Sequence, residues 1–252
     1  MVRLNRRRLK ILDLIREDGH AKVQDLSRIF KVTEVTIRQD LEALEQEGSV
    51  QREYGGAFLK DVGTFAKTGQ LLNHDHMAEK QEIARKAVTL IHEGDSIILD
   101  SGSTTTEIAR LLMDFRELTV ITNSLNIALI LGENHGINLI VTGGEFKAPT
   151  LSLTGDMAAK SFTGINVNTL FLATAGISKE FNLTYPGISD LVVKSAMIKS
   201  AQRVCLVADA SKIGVSAFAT LGSVTMVNIL ITDDKILSED RISLENRGIT
   251  VI

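Results

Sequence analysis

Four polar stretches in this chain each follow an apolar run: Asp100-Ser-Gly-Ser-Thr-Thr-Thr106, Thr122-Asn-Ser124, Thr142-Gly-Gly144 and Asp209-Ala-Ser-Lys212. The first has the most specific chemistry. A glycine flanked by hydroxyl residues and followed by a helical pattern presents backbone N–H groups without intrahelical acceptors, and the helix dipole there favours an anion. Ser101, Gly102, Ser103, Thr104 and Thr105, behind Asp100, can therefore surround a phosphate. Taken alone, the same residues could simply cap a helix. Three further polar strand ends favour a crevice that takes phosphate or sugar. The Gly-Lys-Ser/Thr ending of a P-loop is missing and no G-x-G-x-x-G occurs, so neither motif indicates a nucleotide cofactor.

A second set of chemically capable residues lies near the amino terminus. Val35, Thr36, Arg38, Gln39 and Glu42 fall on the polar side of a segment whose other side carries Ile37, Leu41 and Leu44 at helical spacing. Methyl groups, a hydroxyl, a guanidinium and an amide on one helix face can read base edges or phosphates in a major groove. Thr33 can cap that helix. Arg3, Arg6, Arg7, Arg8 and Lys10 form an acid-free run that suits a phosphate backbone.

The elements that must hold these groups are legible in the periodicity. Leu26, Ile29 and Phe30 stripe a short helix before the turn at Val32, and Asn5–Arg16 reads as a further helix with Leu9, Ile11, Leu12 and Ile15 inward. Gly48–Gly56 reads as a hairpin that would place Arg52 and Tyr54 near a second stretch of backbone, making the module a winged helix-turn-helix over residues 1–57. A helical hairpin that serves only for packing is the plainer alternative. Residues 58–77 lack sustained periodicity and read as a linker. His74 and His76 within it have no partners that complete a metal-ligand set. Over residues 78–252, helical patterns alternate with apolar strands at 96–100, 118–122, 138–142, 169–173, 204–209 and 228–232. That alternation predicts an α/β domain with a largely parallel sheet covered on both faces, and a ligand crevice beyond the strands' carboxyl ends.

Composition sets outer bounds. The chain has 252 residues, 44% hydrophobic and 23% charged, with a formal net charge of −3. Residues 1–60 carry 12 basic and 10 acidic side chains against 16 and 21 in the remainder, so the two regions differ in sign while neither is strongly charged. The DNA reading rests on local pattern, not on net charge. The single cysteine, Cys205, excludes an intrachain disulfide and sits in an apolar run as a buried thiol would. With no apolar run long enough to span a bilayer and no signal-peptide core, a cytoplasmic location is expected.

The run Val32-Thr-Glu-Val-Thr-Ile-Arg-Gln-Asp-Leu-Glu-Ala-Leu-Glu-Gln-Glu-Gly48, followed by Tyr54-Gly-Gly-Ala57, resembles the amino-terminal signature of the DeoR family of bacterial transcriptional regulators, and the similarity extends through the second domain. Gln39 stands where that family often has a basic residue, and an amide prefers adenine where a guanidinium prefers guanine. The resemblance implies a winged helix-turn-helix joined to a sensing domain similar in fold to ribose-5-phosphate isomerase. It further implies a repressor of carbohydrate catabolic genes, relieved by a phosphorylated sugar or related effector, with double-stranded operator DNA and a second copy of the chain as partners. It places Asp100 and Ser101–Thr105 in a phosphate loop, Asn123, Ser124, Gly143 and Gly144 along the crevice, and Lys194 and Lys212 where positive charge could be supplied.

A rival reading is an isomerase-like enzyme with a DNA-binding module. Isomerisation through an enediol needs a positioned base. After the strand at 169–173 the chain reads Ala173-Thr-Ala-Gly-Ile177, with no acid until Glu180, leaving Asp100 and Asp209 as the candidate bases. An architectural DNA-binding protein without a ligand conflicts with the acidic remainder.

Overall fold

A computed structural model describes residues 6–18, 20–53, 55–59, 75–147 and 150–252. Arg3, Asn5, Tyr54, His74 and most of the expected linker lie outside the described residues, as does the side chain of Arg6. Two compact units emerge, one formed by the amino-terminal region and one by the large carboxyl-terminal region.

In the first unit, α1 (Arg6–Asp18), α2 (Val23–Phe30) and α3 (Glu34–Gln46) enclose an apolar core built from Ile11, Leu12, Leu14, Ile15, Leu26, Ile37, Leu41 and Leu44. Leu9 was expected in that core but is 45% exposed, and Leu14 is buried instead. The register explains this: the buried stripe of α1 follows Arg8, Ile11, Leu12 and Ile15, at the i, i+3, i+4 and i+7 positions of one face, and Leu9 falls to its side. Between α2 and α3, Lys31 takes a left-handed conformation at φ 51°, and Ser27 Oγ donates to the Val32 carbonyl at 2.7 Å. The turn is thus held by its own polar groups. Strands β1 (His20–Lys22), β2 (Val50–Glu53) and β3 (Gly56–Leu59) form an antiparallel sheet in the order β1-β3-β2. A Cβ on Gly56 would lie 2.4 Å from the Ala21 carbonyl oxygen, so only glycine lets β1 approach β3 there.

The second unit is a three-layer α/β domain. Its parallel sheet contains β4 (Ser96–Leu99), β5 (Leu118–Thr122), β6 (Ile137–Val141), β9 (Val167–Ala173), β12 (Ala201–Val207), β14 (Ile229–Ile231) and β15 (Thr250–Val251). Their order is β15-β14-β12-β9-β4-β5-β6. Side chains alternate between two cores. Ile97, Leu99, Phe171, Cys205, Val207 and Ile231 face one layer, and Ile98, Leu170, Leu172, Val204, Leu206 and Leu230 face the other. Period-two alternation with both faces buried explains why these strands read as continuous apolar runs. Helices α4 (Met77–Val88), α5 (Ser103–Leu111) and α6 (Leu125–Leu131) cover the first face. On the second lie α7 (Gly155–Lys160), α8 (Ile188–Lys199) and α9 (Ser238–Glu245). Two further sheets complete the domain, a ribbon of β7 (Glu145–Lys147) with β8 (Ser152–Thr154) and an antiparallel trio of β10 (Gly176–Ile177), β11 (Asn182–Tyr185) and β13 (Ala219–Ser223).

The strand order fixes where a ligand can enter. From β4 the chain runs outward through β5 to β6, then returns to lay β9 against the other edge of β4. Connections therefore diverge between β4 and β9, and such a switch point opens a crevice at the strands' carboxyl ends.

Candidate functional site

Asp100 directly follows β4 at that switch point and is fully buried. Its carboxylate accepts from Ser101 N–H at 2.8 Å, from Ala173 N–H at 3.0 Å, and from Lys194 Nζ at 2.5 and 2.7 Å. One side chain thus joins the loop after β4, the end of β9 and helix α8. Burial pushes its carboxyl above the usual range, while Lys194 and the two N–H groups draw it back. The Lys194 ammonium also lies 5.3 Å from the centre of the Tyr185 ring, whose hydroxyl donates to the Ala173 carbonyl at 2.8 Å. Lys194 is buried, and its charge is held by Asp100.

The loop that follows divides into braced and open groups. Ser101 N–H is shared with Asn123 Oδ1 at 3.1 Å, and Thr105 Oγ1 turns back to the Gly102 carbonyl at 3.0 Å. Helix α5 begins at Ser103, so its geometry gives the N–H groups of Ser103, Thr104 and Thr105 no acceptor within the helix. Gly102 is in extended backbone, and a Cβ built there would meet Ala173 Cβ at 3.1 Å. Its small size therefore serves the packing of the loop on β9. Asn123 braces as well, its Nδ2 donating to the Leu153 carbonyl at 3.1 Å, and Ser124 caps α6 through Ile127 N–H.

Farther along the same edge, Thr142 follows β6 with its hydroxyl buried and without a hydrogen-bond partner among the described residues. Gly143 is exposed beside Met157, whereas a Cβ on Gly144, at φ 133°, would lie 2.6 Å from the Thr154 carbonyl oxygen. On the other side of the switch point, Lys212 ends a short 3-10 turn after β12 and is half-buried, while Asp209 caps that turn through Ser211 N–H at 3.1 Å. Sequence reasoning missed Lys80. It lies on the buried stripe of α4 with Ile83, Ala84 and Ala87, and burial lowers its ammonium pKa against the opposing pull of Asp209.

In the first unit the α3 surface displays Val35, 59% exposed, with Arg38 and Gln39 also exposed and Thr36 half-buried. Thr33 caps α3, accepting from Thr36 N–H at 3.3 Å. Arg38 is ion-paired to Glu34 one turn back at 2.6 Å. Arg52 projects from β2, and its backbone N–H donates to Glu45 Oε1 at 2.8 Å, tying the wing to α3. Arg7, expected to face phosphate, has Nε on Asp40 Oδ2 at 2.5 Å, and Arg8 Nε meets Asp40 Oδ1 at 2.9 Å. Among the described residues no group of three or more His, Cys, Asp and Glu side chains is placed to hold a metal ion. No described helix is long and apolar enough to cross a membrane.

A winged reading helix and a parallel α/β domain with an open helix terminus at its switch point define a ligand-sensing, DNA-binding transcriptional regulator. Comparison with known proteins is more specific. Residues 7–61 match the DeoR-like helix-turn-helix domain and residues 75–234 match the DeoR C terminal sensor domain. The chain belongs to the DeoR family of transcriptional regulators. It is 32% identical to the HTH-type transcriptional regulator GlpR of Haloferax volcanii over 98% of this chain and 96% of that one. It is 31% identical to the HTH-type transcriptional repressor GlcR of Bacillus subtilis, covering 90% and 87%. The glycerol-3-phosphate regulon repressor of Escherichia coli K12 is 28% identical, covering 93% and 96%. Among solved structures, ribose 5-phosphate isomerase A of Methanocaldococcus jannaschii aligns over 53% of each chain with a TM-score of 0.39 and 18% identity, a level that carries no functional argument.

Proposed function

We propose that this regulator represses genes of carbohydrate catabolism and that a phosphorylated sugar or related intermediate, bound at the Ser101–Thr105 loop, relieves the repression. The observation that carries this reading is the loop's position: helix α5 starts at the β4–β9 switch point, with the N–H groups of Ser103, Thr104 and Thr105 directed past a rigid, Asp100-braced turn. A phosphate there accepts charge-assisted hydrogen bonds and gains from the helix dipole. The buried Thr142 hydroxyl supports a polar occupant of the crevice, and Lys212 is nearer in role to a ligand-facing cation than Lys194, whose charge Asp100 already holds. Relatives named for a glycerol-3-phosphate regulon and for repression support the class of effector and the sign of control.

The chain acts, in this reading, in the cytoplasm and as a homo-oligomer, because one reading helix contacts too few base pairs for selectivity. Effector and operator each favour a different arrangement of the protein, so each changes the other's affinity by the same factor. The isomerase reading is disfavoured by Ala173-Thr-Ala-Gly-Ile177, which puts no carboxylate beyond β9.

A thermal-stabilisation screen of sugars with and without phosphate tests the proposal, since a ligand that binds only the folded chain raises its apparent stability. The phosphorylated form should bind at least about tenfold more tightly, roughly 1.4 kcal/mol. Gly102→Val, which forces the loop off Ala173, should abolish the response, and Ser103→Ala should weaken it by about 1 kcal/mol. Equal binding of both sugar forms, or a normal response in Gly102→Val, would move the pocket elsewhere. Turnover of pentose or hexose phosphates would revive the enzyme.

A further inference from the structure

Asp40 is the least expected charge on α3. It occupies the buried stripe of Ile37, Leu41 and Leu44, is 1% exposed, and immediately follows the exposed Gln39. A carboxylate taken out of water is costly unless paired, and a well-packed apolar residue at such a position is often at least as stabilising. Here the pairing is double. Arg7 and Arg8 reach across from the first turn of α1, each placing Nε on a different carboxylate oxygen. Arg7 spends only its Nε on Asp40, which leaves its terminal nitrogens clear of that bond, and with 33% of the side chain exposed they reach solvent.

We propose that Asp40 is a positioning residue whose role is to hold the Arg7 guanidinium, with Arg8 beside it, as a preset clamp for a DNA phosphate flanking the reading helix. A guanidinium carries five N–H donors in a rigid fork, and the bond from Nε to Asp40 leaves terminal donors for a second anion. Holding a long side chain in place beforehand removes much of the entropy lost when it meets the phosphate. Phosphate contacts set the register of a protein on the duplex, and Asp40 sits on the very helix whose neighbouring residues face the bases. One acid therefore links the angle of α1 on α3 to the placement of a backbone contact. This inference rests on the chain's binding of DNA through α3.

The test uses the full chain and two duplexes, one selected by the wild-type chain from a random pool and one unrelated. Salt dependence of binding reports the number of phosphates neutralised, at a slope of about 0.9 per contact. Arg7→Gln, in which Arg8 still pairs with Asp40, should lower that slope by about one on both duplexes. Asp40→Asn should weaken both by about tenfold in similar proportion. In the double variant the Asp40 substitution should add little, because the residue acts through Arg7. Arg7→Lys should keep most of the slope yet bind more weakly than wild type, since lysine keeps the charge and lacks the fork that Asp40 holds. A slope unchanged in Arg7→Gln overturns the proposal even if Asp40→Asn fails to fold. So do fully multiplicative losses in the double variant. If no duplex is recovered by the wild-type chain, it is the reading of α3 itself that fails.

Discussion

Asp40 and Asp100 are both buried carboxylates held by cations from another helix, yet they serve opposite ends. Asp40 lies beneath the surface of the DNA module, and its arginines remain partly in water. Asp100 lies in the interior of the sensor, and its lysine is buried with it. The first network ends in a partly exposed Arg7 guanidinium suited to a phosphate. The second ends in a neutral pair whose remaining hydrogen bonds go to the backbone of Ser101 and Ala173, which fixes the shape of a loop. Solvent access of the cation decides whether a buried acid supports a contact surface or a scaffold.

Three substitutions and one titration would break or sharpen that contrast. The largest effect is expected for Asp100→Asn, which leaves the Lys194 ammonium buried without a counter-charge and should cost about 3–5 kcal/mol in denaturant unfolding of the sensor. Adding Lys194→Met should recover most of that loss. If Asp100→Asn costs no more than its counterpart in the DNA module, the distinction drawn from burial collapses.

That counterpart, Asp40→Asn, should cost about 2 kcal/mol through the lost charged hydrogen bonds, because Arg7 and Arg8 can turn to water. Hydrogen exchange in α1 and α3 would register it. Thr33→Ala removes a neutral, exposed cap and should cost about 1 kcal/mol, confined to the first turn of α3. A larger loss there than at Asp40 would mean that capping, not the ion network, sets the helix.

Cys205 supplies a third buried acid, with burial as its main influence. Burial pushes its thiol up to about 11 from 9.0, with Arg203 opposing weakly. Between those values the unfolded chain releases a proton that the folded chain keeps, so stability falls as pH rises from about 9 through about 11. Replacing Cys205 with Val should flatten that alkaline limb. An unchanged limb would assign it to other groups.

Much of this was legible beforehand because apolar periodicity carries the information. The helices around the Val32 turn and the strand at 118–122 follow directly from spacing, and the polar strand ends were visible as a set. Strand order was not, since nothing in the spacing of β9 states that it pairs with β4. Nor were the charge partners. A signal for them was present: Arg8, Asp40, Lys80 and Lys194 each fall on the apolar stripe of their helix. A charge in a core register must find a buried partner or a polar cavity. Arg8 reads from sequence only as part of a phosphate-facing run and Lys194 only as positive charge for a ligand, without the carboxylates that hold them. The packing of Gly102 against Ala173 was hidden for a related reason, because the two lie 71 positions apart in sequence and the chain alone does not announce the contact.

The β4–β9 pairing also dictates the order in which the protein can be made. The core of the DNA module uses residues between Ile11 and Ala57, so it is complete early in synthesis. Strand β4 must wait for residues 169–171 before it acquires the neighbour that closes the switch point, and long-range pairing of this kind folds slowly. A chain terminated between these points should carry a finished DNA reader and an unfinished sensor. Such a fragment is expected to bind duplex DNA with less selectivity than the full protein and to be deaf to ligand, and a chain stopped before β9 would reveal it as DNA binding that no effector relieves.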